Sequence, residues 1–240
     1  MIEIKNVSKS YVNGKKSVDS LTLDIKNGEI FGFLGPNGAG KTTTIRMMTG
    51  ILNMDEGDIL IDGKSIKQEP LEAKKNFGFV PDSPDMFLKL KGIEYLTFMA
   101  DVYDVPKDKR KEKIEELTKK FEIYNELNNE IQSYSHGMRQ KIVICGALLS
   151  EPKNWILDEP MTGLDPKSSY DLKEMMREHA KSGKTVFFST HILEVAEKLC
   201  DRVGIINKGK LVFVGTFEEM KQKFKENASL EDLFLEITEK

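Results

Sequence analysis

The sequence predicts an α/β protein, a parallel sheet with helices on its faces. Two patterns carry that prediction. Apolar runs at 155–158, 185–189 and 203–206 alternate with helical stretches at 167–181 and 191–199, the order that parallel strands joined by crossover helices require. Upstream, the buried-strand run Ile30-Phe31-Gly32-Phe33-Leu34 enters a glycine-rich stretch, Gly35 to Gly40, and then a helical segment from about Lys41 to Thr49. Strand, glycine loop and helix in that order present backbone N–H groups to an anion.

The elements follow in order. Ile2 and Ile4, and later Leu21, Leu23 and Ile25, repeat at period two and read as half-buried strands. Asn13-Gly14 and Asn27-Gly28 supply turns. Residues 58–61 and 77–80 read as two more strands, the second ending at Pro81. From about 85 to 150 the composition shifts to Lys, Glu, Leu and Phe. Ile114, Leu117 and Phe121 there recur at helical spacing, with a solvated charged face between them. Asn207-Lys208-Gly209 joins Val203–Ile206 to Leu211–Val214 as a hairpin. In the tail, Leu230, Leu233, Phe234 and Ile237 form one helical stripe, with Ser229 and Asp232 placed as a capping box. The expected domains are 1–225 and a C-terminal amphipathic helix at 226–240.

Composition excludes several classes. With 31% charged and 39% hydrophobic residues over 240 positions, the chain is neither disordered nor too short for a core. A net charge of −3 gives no basic field, so no nucleic-acid partner is expected. The longest apolar run, Ile142 to Leu149, falls far short of the ~20 residues of a membrane span. The start, MIEIKNVSKSY, lacks the apolar region of a signal peptide. Cys145 and Cys200, 55 positions apart and outside any paired motif, read as buried small hydrophobes in a reducing compartment.

Three stretches carry chemistry. Gly35-Pro36-Asn37-Gly38-Ala39-Gly40-Lys41-Thr42 fits the phosphate-cradling pattern G-x-x-x-x-G-K-[ST]. Its glycines admit phosphate oxygens without Cβ clashes, Lys41 sets a point charge on the β- and γ-phosphates, and the Thr42 hydroxyl suits Mg²⁺. Thr43 follows on the same helix start. The apolar strand Trp155-Ile156-Leu157 ends in Asp158 and Glu159, 117 positions after Lys41. Asp158 can hold Mg²⁺, directly or through water, while Glu159 points the other way and can polarise an attacking water. Ser135 reads as the N-cap of a helix with Met138, Ile142, Cys145 and Leu149 on one stripe. That helix start is a second anion site.

These motifs, in this order, resemble the nucleotide-binding subunit of an ABC transporter. Gly35–Thr42 matches the Walker A motif and Ile156–Glu159 the end of Walker B. Ser135–Met138, 23 positions before Asp158, sits where the family has Leu-Ser-Gly-Gly-Gln. Gly163-Leu164-Asp165-Pro166 matches the D-loop. His191, 33 positions after Asp158, matches the switch histidine, and Tyr11 the aromatic residue that stacks on adenine. The resemblance spans Ile2 to about Ile237.

The resemblance implies a cassette with a RecA-like core, an antiparallel β subdomain and an α-helical subdomain that binds ATP with Mg²⁺. Two subunits, identical or related, would close head to tail around two ATPs. Ser135 and Gly137 of one would then meet the γ-phosphate held by the other. His191 would contact that phosphate or the attacking water, and Asp165 would take part in nucleotide binding. The chain departs from the pattern in its signature: His136 replaces a glycine, and Met138 replaces the glutamine. Asp82, between Pro81 and Ser83-Pro84, is equally read as a turn residue bonding its own backbone or as a Mg²⁺-facing carboxylate where many members carry glutamine.

The signature and the tail Leu230-Glu-Asp-Leu-Phe-Leu-Glu look like the branch serving bacterial drug, antibiotic and peptide exporters. The expectation is an ATPase subunit in the cytoplasm, peripheral on the inner face of the membrane, that drives a separate permease. A permease helix would dock beside residues 82–100, where Met86, Phe87, Leu88, Leu90, Ile93, Tyr95, Leu96 and Phe98 crowd together. The rival readings are an importer subunit and an ABC protein acting on DNA or ribosomes. Families of the latter kind carry a long coiled-coil insertion or tandem cassettes, neither of which is present.

Overall fold

The computed structural model describes residues 1–11, 14–224 and 234. The chain runs β1 (Ile2–Ser10), β2 (Lys16–Ile25), β3 (Ile30–Leu34) and α1 (Lys41–Met48). It continues through β4 (Glu56–Ile61), β5 (Lys64–Ser65), α2 (Pro70–Lys74) and β6 (Phe77–Val80). Three helices follow, α3 (Gly92–Val102), α4 (Lys107–Lys120) and α5 (His136–Leu148). Then come β7 (Asn154–Asp158), α6 (Pro166–Lys181), β8 (Thr185–Thr190), α7 (Leu193–Leu199), β9 (Arg202–Asn207), β10 (Lys210–Gly215) and α8 (Phe217–Phe224). Among the described residues no helix is long and apolar enough to cross a membrane.

The strands form two sheets. One is antiparallel, in the order β2-β1-β4-β5. The other runs β10-β9-β3-β8-β7-β6 and is parallel from β9 to β6, with β10 antiparallel on its edge. The predicted alternation at 155–206 is therefore part of the parallel sheet.

Period two places Ile2 and Ile4 of β1 opposite Ile25 and Leu23. The period then breaks. Three steps on β1, Ile4 to Val7, match two on β2, Leu23 to Leu21. A bulge absorbs the extra residue, with Asn6 at φ 51°, and returns Val7 to the buried face. Gly57 of β4 passes so close to the bulge that a Cβ there would lie 2.4 Å from the carbonyl oxygens of Lys5 and Asn6.

Two clusters sandwich the parallel sheet. Trp155 and Leu157 of β7 and Val186 and Phe188 of β8 face α3, α5 and α6. Ile156 and Phe187 face the other way, with Phe31 and Phe33, onto α1 and the antiparallel sheet. Both faces are covered, so these strands are buried throughout and apolar in their middles. Cys145 is buried and Cys200 partly so, and both are free thiols.

Two sequence expectations shift, while the hairpin at 207–209 stands as expected. The helix expected from 191 begins at Leu193, because the Thr190 hydroxyl accepts from the Ile192 N–H at 3.1 Å and holds His191 and Ile192 outside it. Phe121 ends α4 as its C-terminal cap rather than lying on the helix. Lys208 and Gly209, at φ 47° and 81°, give the hairpin turn two left-handed residues. Of the tail, only Phe234 is described, partly buried against the cluster around Val203, Phe213 and Met220. The rest of the tail stripe and Asn13 lie outside the described residues.

Candidate nucleotide site

Loop 35–40 is held by three elements. A Cβ on Gly35 would stand 2.4 Å from the Ile206 carbonyl of β9, and one on Gly40 2.6 Å from the Ser17 carbonyl of β2. The hairpin turn closes the third side, its Gly209 N–H donating to the Ala39 carbonyl at 2.9 Å. Gly40, at φ 115°, and Gly38, at φ 76°, need the freedom that only glycine has. Nothing lies within 4 Å of a Cβ built on Gly38, so that side of the loop is open to a ligand.

Lys41 is only 7% exposed. Its Nζ donates to the Gly35 carbonyl at 2.7 Å and lies 3.6 Å from Glu159 Oε1. The ammonium thus sits inside the loop beside the open space over Gly38. A cavity of about 260 Å³ there is lined by Ser17, Pro36, Asn37, Gly38, Gly40, Lys41, Thr42, Thr43, Asp82 and Glu159. Tyr11 stands exposed beside this rim, its hydroxyl 3.4 Å from Thr43 Oγ1, which also meets Ser17 Oγ at 3.1 Å.

The carboxylates arrive from neighbouring strand ends. Asp158 closes β7 and is buried; the Ser189 hydroxyl of β8, its register partner, donates to it, and Thr42 also bonds it. Burial raises the Asp158 carboxyl above its usual range, and the charges of Asp82 and Glu159 add to the rise, while Ser189 and Thr42 counter it. At Glu159 the backbone flips to φ 46°, with its N–H donating to Ser189 Oγ at 3.0 Å. Asp158 is thus held between Ser189 and Thr42, while Glu159 lines the cavity. His191 Nδ1 meets Glu159 Oε2 at 3.0 Å.

Asp82, just past β6, lines the cavity and acts on Asp158 electrostatically. A loop with one buried lysine among three acids suits a phosphate chain bound with a divalent cation. Among the described residues no three His, Cys, Asp or Glu side chains group to hold a metal by themselves. The Thr42 hydroxyl and the Asp158 carboxylate, bonded to each other, are the hard oxygens that a Mg²⁺ would take.

Ser135, Gly137 and Asp165 are not brought to this cavity. Ser135 caps α5, accepting from the Met138 N–H at 3.3 Å. Asp165 caps α6, accepting from Ser168 N–H at 2.8 Å, and pairs with Lys141 at 2.9 Å. These bonds, Ser168 foremost, hold its carboxyl far below the usual range. Sequence reasoning missed Ser17 and Ser189. Ser17 carries no motif. Ser189 had a signal: it is a polar residue following the apolar run Val186-Phe187-Phe188 on a strand of the same sheet as Asp158.

The profile of the ABC transporter family matches residues 18–162. From Bacillus subtilis, the uncharacterized ABC transporter ATP-binding protein YhcH is 40% identical over 88% of this chain and 68% of its own length. The SkfA peptide export ATP-binding protein SkfE of the same organism is 37% identical over 94% and 95%. Among solved structures, an ATP-binding subunit of an ABC transporter superimposes with a TM-score of 0.93 at 32% identity, covering 99% of both chains. The dimeric structure of MJ0796, a bacterial ABC transporter cassette, gives 0.81 at 25% identity over 90% of this chain and 98% of that one. A phosphate loop, a strand-end acid pair and a histidine on the second acid thus stand in a chain that belongs to the ABC transporter family, as an ATP-binding and ATP-hydrolysing subunit.

Proposed function

We propose that this ATPase works as a head-to-tail dimer around two ATPs and drives a separate membrane permease that exports a drug, antibiotic or peptide. The observation that carries the dimer is the separation within one chain. The cap of the 13-residue helix α5, Ser135, is exposed, and neither it nor Gly137 lines the cavity of Lys41. A second copy brings the missing helix N-terminus to the phosphates. MJ0796, solved as a dimer, supports dimerisation.

In the reaction, the loop N–H groups and Lys41 bind the phosphate chain, and Tyr11 at the rim stacks on the base. Thr42 and Asp158 would hold Mg²⁺, with the Asp82 carboxylate beside them on the cavity wall. A bound Mg²⁺ would supply charge compensation for the phosphates. Glu159 polarises the attacking water, and His191 orients the Glu159 carboxylate. The ion pair between Lys41 and Glu159 ties up both groups before phosphate enters; a phosphate competing for Lys41 leaves Glu159 to the water.

Export is supported by the likeness to SkfE, whose name records peptide export. A permease contact is supported by exposed apolar side chains around α3. Phe87 and Phe98 are each 44% exposed, 5.5 Å apart between ring centres, and Met86 and Val102 are exposed beside them in sequence. Tyr95 and Leu96, expected in the same groove, are instead buried core. Contact here would hold the subunit on the inner face of the membrane. Photocrosslinkers at Lys89 and Lys91, in cells expressing the neighbouring genes, should capture an integral membrane protein. Capture of none overturns the docking site.

A further inference from the structure

The first turns of α5 grip loop 159–165, and His136 is the side chain that makes the grip close. A Cβ on Gly163 would stand 2.2 Å from His136 Cδ2 and 2.8 Å from its Nε2. The imidazole therefore fills the space that a side chain at 163 would take. Gly163, at φ 78°, is left-handed and offers its bare Cα to the ring. In return, a Cβ on Gly137 would lie 2.7 Å from the Gly163 carbonyl oxygen. Two glycines thus face each other, and one ring seals the gap between them.

The next turn of α5 repeats the attachment. Gln140, almost fully buried, donates through Nε2 to the Pro160 carbonyl at 3.4 Å, and Lys141 pairs with Asp165. Every one of these contacts lands on the segment that begins with Glu159. Its near end is fixed by the Glu159 N–H on Ser189. Its far end is fixed by α5. Glu159, at φ 46°, thus starts a loop whose other end rests on α5.

We infer that His136 is a positioning residue for hydrolysis: its ring sets loop 159–165 against α5 and thereby fixes the placement of Glu159. His136 does not line the cavity of Lys41 in its own chain, so within that chain it acts on the site through loop 159–165.

The test is steady-state ATPase kinetics of the full chain. His136→Ala should lower kcat roughly tenfold, the size of effect expected when a reacting group is misplaced by a fraction of an ångström, with KM for ATP unchanged. His136→Phe, which keeps a flat ring but no nitrogen, should retain most of the activity. Gly163→Ala should lower kcat by driving a methyl group into the ring. The double variant His136→Ala/Gly163→Ala should then lose no more than the worse single, not the product of the two. That suppression reads the contact even if one single variant folds poorly. A His136→Ala enzyme with unchanged kcat overturns the inference. So does a His136→Phe enzyme as impaired as His136→Ala, or a shift confined to KM, either of which would make the ring nitrogens a nucleotide contact. Multiplicative losses in the double variant also overturn it.

Discussion

The parallel and antiparallel sheets bury their side chains differently, and the chemistry follows the difference. Every residue of β3, β7 and β8 is buried, whereas β2 alternates between buried Leu21, Leu23 and Ile25 and exposed neighbours. A strand covered on both faces has only its end left for polar work. Accordingly loop 35–40, Asp158, Thr190-His191 and Asp82 all lie at or just beyond the C-terminal ends of β3, β7, β8 and β6, four neighbours in one sheet. The half-buried sheet contributes only the rim, Ser17 and nearby Tyr11. Burial at the end of a dry strand raises the Asp158 carboxyl, and the nearby charges of Asp82 and Glu159 add to the rise.

The largest expected effect breaks the strand-end side of this comparison. Glu159→Gln keeps the shape and loses the carboxylate, so hydrolysis should fall by roughly 10²–10⁴-fold while ATP binding persists. The variant should collect as an ATP-bound dimer on size exclusion. Near-normal turnover would remove Glu159 from the role.

Stability should distinguish the sheets next. Phe187 on β8 is fully buried and stacks on Phe31 with ring centres 6.0 Å apart. Phe187→Ala should cost about 3–5 kcal/mol in urea unfolding, against about 2–3 kcal/mol for Leu23→Ala on β2. Only the former should also depress ATPase activity, because Ser189, two residues on, ties Asp158 to Glu159. Equal costs and equal activities would erase the distinction.

The smallest effect concerns Asp82, which is exposed. Asp82→Asn removes one negative charge near the cation and should raise the Mg²⁺ needed for half-maximal activity about two- to threefold, with stability unchanged. Superimposable Mg²⁺ titrations of the two enzymes would make it a turn residue only.

Local order was legible in the chain. A dipeptide such as Asp158-Glu159 after an apolar run states a strand end, and Gly35–Thr42 states a loop and a helix start, because each is enforced by neighbours within a few residues. The bulge at Asn6, the delay of α7 to Leu193 and the flip at Glu159 were not legible. Each depends on a partner across a strand or loop: β2 and β4 for Asn6, the Thr190 hydroxyl for α7, Ser189 for Glu159. The same division separates the two parts of the α5 region. Ser135 announced itself as a helix cap. That His136 would lodge against Gly163, 27 positions away, no local pattern could show. Sequence spacing fixes what a residue can do chemically, while contacts between distant segments decide which partner it meets.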